Sequence, residues 1–376
     1  MIIRDVFRRS DPVLWGSALL LVVISLVLLG TGSDSANLGY FMRQGVAAGL
    51  GILVMFIIAR THYTFARSFS SVLFVVLIFL LLIVLQARII RGAASWLVFG
   101  GFHLQPGELA KAILVVVLAK ILGESKQGVA LTRVLFRTIL YAGIPIILVI
   151  LQPDFGTAML LTAIWFGMIA VAGLTRKQFL SLAVIAVVVF ASGWVFFLKP
   201  YQKDRVLVFL NPGSDPLGRG YTVLQSVTAF GSGGFWGRGL GYGPQSRLNF
   251  LPENRTDFIF ARIGEELGLV GVLGVLSLYG VILWRTLVAA SKTTDSFGRA
   301  IAVGAFVALL SGIVVNAGMN IGLLPVTGVP LPFISYGGSS LLTMFIIIGL
   351  VESVIIHGEA WEVDDTSDVT TLSLGG

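Results

Sequence analysis

Apolar residues in this chain fall into runs of about twenty, which is the length an α-helix needs to cross a bilayer. Ten runs are recognisable, at 12–30, 41–59, 70–86, 108–122, 132–150, 156–173, 178–198, 257–287, 299–320 and 337–357. The pattern predicts an all-α integral membrane protein, a polytopic bundle of about ten transmembrane helices. One long interruption, at about 200–255, predicts a single large loop outside the membrane.

Composition supports this fold class and removes several functions. Of 376 residues, 56% are hydrophobic and 12% are charged, which excludes an ordinary soluble domain. The chain has no cysteine and three histidines, so disulfides, thiolate chemistry and a Cys/His metal site are excluded. The net charge of +7 comes from short loops between apolar runs, so we expect no nucleic-acid partner.

An even number of spans places both termini on the same side of the membrane. The positive-inside rule makes that side the cytoplasm, because most loops on it are basic: Arg4, Arg8, Arg9, Arg60, Arg67, Lys120, Lys126, Arg133, Arg137, Arg176, Lys177, Arg285, Lys292 and Arg299. The first run has no small-residue cleavage site after it, so we expect a retained helix. The transmembrane domain is predicted over 1–358, and the acidic tail 359–376 is predicted to be disordered.

A second basic set falls in segments that this topology places outside: Arg88, Arg91, Lys199, Lys203, Arg205, Arg219, Arg238, Arg247 and Arg255. It indicates an anionic ligand at the outer leaflet, such as a lipid-linked pyrophosphate. The alternative is that a long loop tolerates any charge. Within that loop, 230–243 is too rich in glycine for a regular helix, and its aromatic residues suit a movable loop at the membrane interface.

The segment 249–268 joins the outer loop to the eighth run and contains four carboxylates: Glu253, Asp257, Glu265 and Glu266. Acids at membrane depth usually face an aqueous cavity, and Asp257 is the leading candidate. It follows two plausible N-cap residues, Asn254 and Thr256, so the alternative is that it only closes the start of a helix. Arg262 and Glu266 are four residues apart and predict an ion pair, whereas the role of Glu265 stays open.

Two further helix starts resemble each other, QPGELAK at 105–111 and QPDFGT at 152–157. Each has Pro at the first helical position and an acid in the first turn, so each alone is a good helix start. The fourth, sixth, eighth and tenth helices all begin at the outer face. If these ends converge, Glu108, Lys111, Asp154 and Asp257 share one vestibule suited to a phosphate and a metal or proton.

Small residues and irregular backbone mark two more candidate features. Ala261, Gly264, Gly268 and Gly271 share a face with Asp257, which indicates close helix packing or a groove for a lipid chain. The segment 324–340, LPVTGVPLPFISYGGSS, has the irregular backbone of a cavity wall or of a rigid connection. In the first case its serines are possible hydrogen-bond donors to a ligand: Ser335, Ser339 and Ser340.

Together, PENRTDFIFARIGEELG, QPGELAK, QPDFGT and PLPFISYGGSS resemble the SEDS family of bacterial cell-wall synthases over nearly the whole chain. QSRLNFLPE and GLLPVTGVPLPFISYGG resemble the RodA branch, which acts in elongation, more than the FtsW branch. The resemblance implies a peptidoglycan glycosyltransferase that polymerises lipid II at the outer face of the cytoplasmic membrane. It also implies a divalent metal ion (Mg²⁺ or Mn²⁺) and a class B penicillin-binding protein as transpeptidase partner.

The resemblance also implies roles for individual residues. The essential acid of the family falls on Asp257, a general base for the acceptor hydroxyl or a metal ligand, and the cavity residues fall on Glu108, Lys111 and Asp154. We expect Lys111 and Arg205 to help the pyrophosphate leave. The chain departs from the family twice, with Arg255 where His is usual and Gly107 where Ser is usual.

Two other classes of protein share these features. A flippase or transporter for lipid-linked precursors would also have ten spans, intramembrane acids and a basic vestibule, but its acids would be spread along a path through the membrane. A scaffold that only activates a partner enzyme would keep its activity when the acids are replaced.

Overall fold

The computed structural model describes residues 9–31, 35–86, 96–99, 102–125, 129, 132–197, 203, 207–211, 213, 215, 218–248 and 250–358. This part of the chain is almost entirely helical. Its helices are α1 (Pro12–Gly30), α2 (Ser35–Arg60), α3 (Tyr63–Leu85), α4 (Pro106–Gly123), α5 (Thr132–Leu151), α6 (Phe155–Val171), α7 (Arg176–Ser192), α8 (Arg219–Ser232), α9 (Pro244–Arg247), α10 (Ile259–Lys292), α11 (Ser296–Asn320) and α12 (Gly338–His357).

Each predicted apolar run coincides with a described helix. Seven of these helices are long and apolar enough to span a membrane by length and composition: α1, α2, α3, α5, α10, α11 and α12. α4 carries three charged residues, and α6 and α7 have 17 residues each. A membrane protein with a helical bundle is therefore confirmed, while the count of ten spans stays a prediction.

A short β-hairpin accompanies the helices without changing the fold class. Strands β1 (Leu97–Phe99) and β2 (Phe102–Leu104) pair antiparallel, with Leu97 opposite Leu104. The hairpin leads directly into α4 and thereby sets where that helix begins.

The centre of the bundle is α12, which is buried along almost its whole length. Glycines bring it close to α2: a β-carbon on Gly51 would lie 2.3 Å from Cδ2 of Phe345, and one on Gly349 would lie 2.9 Å from the carbonyl of Met55. Such close approach favours van der Waals packing where lipid supplies no hydrophobic driving force between helices. Helix α12 therefore packs closely against α2.

An ionic cluster joins three helices at the end of the bundle remote from Asp257. The carboxylate of Asp11, the N-cap of α1, pairs with Nε of Arg285 on α10, and its backbone N–H donates a 3.1 Å hydrogen bond to Oε2 of Glu352 on α12. Arg285 lies near the C-terminal end of α10, whereas Asp257 precedes the first residue of that helix. The cluster therefore fixes the opposite ends of the helices that build the candidate site.

The long outer interruption contains more helix than the sequence predicted. α8 (14 residues) and the short α9 lie within 200–255, and α8 extends to Ser232 inside the glycine-rich stretch. After Ser232 the backbone is irregular as predicted, with positive φ at Gly234, Gly237, Gly239 and Gly241. The predicted tail 359–376 lies outside the described residues.

Candidate functional site

Asp257 lies two residues before the start of α10 and lines a cavity. The cavity has a volume of about 160 Å³ and is lined by α8, by the irregular segment before α12 and by residues before α8: Val208, Phe209, Thr222, Val223, Val326 and Gly328. Asp257 is half-buried. Gly328 has φ +74°, and a β-carbon there would stand 3.5 Å from Oδ2 of Asp257. The positive φ of Gly328 favours glycine at this point of the cavity wall.

The structure corrects the predicted helix start. α10 begins at Ile259, and its N-cap, Phe258, makes no side-chain cap hydrogen bond. Asn254 is not a cap: its side-chain amide donates a 3.0 Å hydrogen bond to the carbonyl of Ser246. Asp257 therefore precedes the first turn, in a position set by contacts with other helices.

Two asparagines of α11 hold the backbone of Asp257. The side-chain amides of Asn316 and Asn320 each donate a 2.9 Å hydrogen bond to the carbonyl of Asp257. Asn316 also donates to the carbonyl of Val329 at 2.7 Å, and Oδ1 of Asn320 accepts from the N–H of Ala261 at 2.9 Å. Both asparagines are fully buried. They therefore fix Asp257 between α10, α11 and the segment before α12.

Ser335 fixes the neighbouring residue. Its hydroxyl donates a 2.5 Å hydrogen bond to the carbonyl of Thr256 and accepts one of 2.8 Å from the N–H of Leu331. Gln44 of α2 supports the same segment, with Nε2 donating to the carbonyl of Ser335 and Oε1 accepting from the N–H of Gly337, both at 3.2 Å. The predicted substrate contact of Ser335 stays a prediction, beside a positioning contact that the structure shows.

The two QP motifs lie side by side. Nε2 of Gln105, before α4, donates a 2.7 Å hydrogen bond to Oδ2 of Asp154, before α6. Asp154 is the N-cap of α6 and accepts from the N–H and the hydroxyl of Thr157 at 3.1 and 3.0 Å. A β-carbon on Gly107 would lie 3.1 Å from Cγ2 of Thr157. A serine at 107, usual in the family, would therefore press on Thr157.

Glu108 and Lys111 form a buried ion pair one turn into α4. Nζ of Lys111 lies 2.6 Å from Oε2 of Glu108, and both side chains are almost fully buried. Burial raises the pKa of the Asp154 carboxyl, and the charge of Glu108 raises it further, against hydrogen bonds from Thr157 and Gln105 that lower it. Glu108, Lys111 and Asp154 therefore form one electrostatic group.

This group is linked to Asp257 through residues 327–329. A β-carbon on Gly156, at the start of α6, would lie 2.5 Å from the carbonyl of Thr327 and 3.0 Å from Val329. The next residue of that segment, Gly328, lines the same cavity as Asp257. The start of α6 therefore packs on the segment that also lines the Asp257 cavity, but Glu108, Lys111 and Asp154 are not among the residues that line it. Arg205 lies outside the described residues, and its role stays a prediction.

The remaining acids of α10 hold the segment between α8 and α10. Arg262 and Glu266 form the predicted ion pair, with Nε and Oε1 2.7 Å apart, and Oε2 of Glu266 accepts from the N–H of Gly241. Glu265 is fully buried and accepts from the N–H of Gln245 at 2.7 Å and the hydroxyl of Ser246 at 2.6 Å. The sequence assigns no role to Glu265. The structure shows that it binds the segment around α9.

The small residues of α10 also contact the loop. A β-carbon on Gly264 would lie 2.5 Å from Cδ2 of Phe230, and one on Gly268 would lie 2.3 Å from the N–H nitrogen of Gly237. The sequence predicted either close packing or a groove for a lipid chain at these residues. The contacts of Gly264 and Gly268 show close packing.

Comparison with known proteins identifies the family. A family model described as cell cycle protein, for FtsW, RodA and SpoVE, matches residues 12–359. The chain belongs to the FtsW/RodA/SpoVE family. This confirms the SEDS resemblance, and the matched range includes Asp257, Asn316 and Asn320.

Curated relatives from this family match the chain over most of its length. The peptidoglycan glycosyltransferase MrdB of Escherichia coli (strain K12) is 36% identical over 356 residues, covering 92% of this chain and 94% of MrdB. Stage V sporulation protein E of Bacillus subtilis (strain 168) is 38% identical over 358 residues, covering 89% of this chain and 96% of that protein.

Solved structures of the FtsW/RodA/SpoVE family share the fold. The rod shape determining protein RodA of Thermus thermophilus is 30% identical with a TM-score of 0.69, covering 92% of this chain and 96% of that chain. A chain from a peptidoglycan synthase complex, whose structure addresses the coordination of polymerization and crosslinking, is 33% identical with a TM-score of 0.79, covering 92% and 97%.

Proposed function

We propose that this chain is a peptidoglycan glycosyltransferase of cell elongation. It polymerises lipid II at the outer face of the cytoplasmic membrane, with both termini in the cytoplasm. The observation that carries the proposal is Asp257, a carboxylate that lines a cavity while Asn316 and Asn320 fix its backbone at 2.9 Å each. The relatives named peptidoglycan glycosyltransferase support the same reaction class.

The chemistry requires one base and one stabilised leaving group. An α-linked sugar pyrophosphate that becomes a β-linked glycan undergoes one inversion, hence a single displacement. Asp257 takes the proton of the acceptor 4-hydroxyl while the hydroxyl oxygen of the acceptor bonds to the anomeric carbon of the donor sugar. The bond from that carbon to the pyrophosphate breaks, and the pyrophosphate leaves with the electron pair. Lys111, Asp154 and Glu108 shape the electrostatic field beside this step.

A divalent cation fits the proposal only with substrate as a co-ligand. In the part of the chain that the structure describes, no three His, Cys, Asp or Glu side chains are grouped to hold a metal ion. Mg²⁺ is commonly held by one or two carboxylates together with substrate phosphates, and Asp257 could supply such a carboxylate. The ion would stabilise charge on the departing pyrophosphate.

The proposed partner is a class B penicillin-binding protein acting as transpeptidase. The support is the similarity to a chain of a peptidoglycan synthase complex, at a TM-score of 0.79. Glycan strands made at the outer face would pass directly to an enzyme that crosslinks them there.

The test is to give purified protein labelled lipid II, with and without the transpeptidase and a divalent cation, and to separate glycan strands on a gel. The proposal predicts strands. A parallel liposome assay follows lipid II between leaflets. Transfer between leaflets without strands under any condition would contradict the proposal and support a flippase. The position of the acids favours the enzyme, since Glu108, Asp154 and Asp257 all lie at or just before helix starts.

A further inference from the structure

Arg255, two residues before Asp257, is held through both its side chain and its backbone. Its guanidinium carbon lies 4.8 Å from the centre of the Tyr40 ring, at the start of α2. Tyr40 in turn contacts Tyr336 edge-on, with ring centres 4.7 Å apart. The N–H of Tyr336 donates a 2.9 Å hydrogen bond to the carbonyl of Arg255. Arg255 is therefore oriented by an aromatic platform and a backbone contact.

The charge of Arg255 is not neutralised within the described part of the chain. No carboxylate there forms an ion pair with its guanidinium, whereas Arg262 and Arg285 each have one. The side chain is half-buried, and its Nε is a buried donor without a hydrogen-bond partner. Burying part of a cation and leaving one of its donors without a hydrogen bond costs free energy unless an anion binds there. The planar guanidinium suits a phosphate, which it can bind through two parallel hydrogen bonds.

The backbone fixes this cation relative to the proposed base. Three successive carbonyls are held, that of Arg255 by Tyr336, that of Thr256 by Ser335 and that of Asp257 by the two asparagines. Two residues of chain span at most about 7 Å. The α-carbons of Arg255 and Asp257 are therefore close together, while Tyr40 sets the position of the guanidinium.

We propose that Arg255 binds the pyrophosphate of a polyprenyl-linked substrate, and that Tyr40 orients its guanidinium for this contact. The inference rests on the proposed function and assigns a substrate contact to a residue at which the chain departs from its family. The same chemistry would attract the phosphate of a bulk phospholipid, so the experiment separates these two sources.

The experiment measures binding of undecaprenyl pyrophosphate to the purified full-length chain, for wild type, Arg255→Gln, Arg255→Lys, Tyr40→Leu and Tyr40→Phe. The exposed Arg137→Gln serves as the control for loss of one positive charge. Arg255→Gln is expected to weaken binding about tenfold or more, since hydrogen bonds to a charged group are lost. Arg255→Lys and Tyr40→Leu lose less, and Tyr40→Phe and Arg137→Gln bind as wild type does.

Binding and polymerisation are measured separately, so the Arg255 contact and the proposed glycosyltransferase activity can fail independently. Equal affinity of wild type and Arg255→Gln, with melting temperatures that match, would overturn the inference. Phosphatidylglycerol that competes as well as undecaprenyl pyrophosphate would also overturn it, in favour of a bulk headgroup. Arg255-dependent binding without polymerisation would instead leave the inference standing and contradict the proposed function. In polymerisation assays, Arg255→Gln raises KM for lipid II more than it lowers kcat.

Discussion

The side-chain amide of Asn320 donates a 2.9 Å hydrogen bond to the backbone carbonyl of Asp257. The same amide donates to the carbonyl of Asn316 at 2.8 Å, and Asn316 itself donates to Asp257. Two buried amides, one turn apart on α11, thus converge on one carbonyl. The backbone of Asp257, the residue proposed as the base, is therefore fixed by two hydrogen bonds from α11.

Replacing Asn320 tests this arrangement. Asn320→Leu removes one donor from the carbonyl of Asp257 and the acceptor of the N–H of Ala261. Leaving buried groups unpaired is expected to cost about 1–3 kcal/mol of unfolding free energy. Because the base is displaced, kcat falls while KM for lipid II changes little. The control is Ser226→Ala, which removes a 2.8 Å contact to the carbonyl of Asn320 and leaves its amide in place. A wild-type kcat in Asn320→Leu would contradict the positioning role.

The buried pair of Glu108 and Lys111 predicts strong coupling between two substitutions. Glu108→Gln or Lys111→Met alone leaves an uncompensated buried charge and is expected to cost about 3–5 kcal/mol. The double variant removes both charges and is expected to recover much of that loss, but not polymerisation. Thermal or denaturant unfolding of the four proteins measures the coupling. Additive losses would show that the pair is not coupled.

Asp154 predicts a pH dependence. Burial raises the pKa of its carboxyl, so folding favours the protonated form. That contribution to stability is complete below the pKa of the unfolded chain and is lost as pH rises through the folded pKa. The difference in melting temperature between wild type and Asp154→Asn is therefore expected to move in favour of wild type as pH is lowered. A difference that is independent of pH would contradict the raised pKa.

Gly268 predicts a contrast between two glycines of α10. Gly268 has φ +66°, and a β-carbon there would meet the backbone of Gly237 and Phe235. Gly268→Ala is expected to destabilise the protein by more than about 1 kcal/mol. Gly274 lies in regular helix with open space around its β-carbon position, so Gly274→Ala is expected to stabilise by about 0.4–1 kcal/mol. At Gly268 the backbone of α10 departs from helical geometry. Equal effects of the two substitutions on unfolding would show that this position does not require glycine.

The sequence predicts elements where local signals agree with the fold. α1 spans 12–30 as predicted, because Asp11 caps the helix and Pro12 starts it. The start of α10 was predicted two residues early. Asn254, read as a cap, binds the carbonyl of Ser246 instead, a contact between separate segments that no local pattern shows.

The sequence predicts the charged residues of the candidate site but not the asparagines that position Asp257. Its charged residues stand out in an apolar chain, and the QP motifs carry the signals of helix starts. Asn316 and Asn320 were missed because single amides in an apolar run have no motif. Their spacing of four, on one face of a membrane helix, is the signal that could have indicated a buried polar contact.

The rate of strand formation in Asp257→Asn tests the central claim most directly. Purified wild type, Asp257→Asn and Glu253→Gln are each given labelled lipid II with the transpeptidase and a divalent cation. Glu253 is an exposed acid four residues before Asp257 and serves as the control. Loss of a general base predicts a fall of about 10²-fold or more in Asp257→Asn, with Glu253→Gln close to wild type. Polymerisation by Asp257→Asn at the wild-type rate would contradict the account.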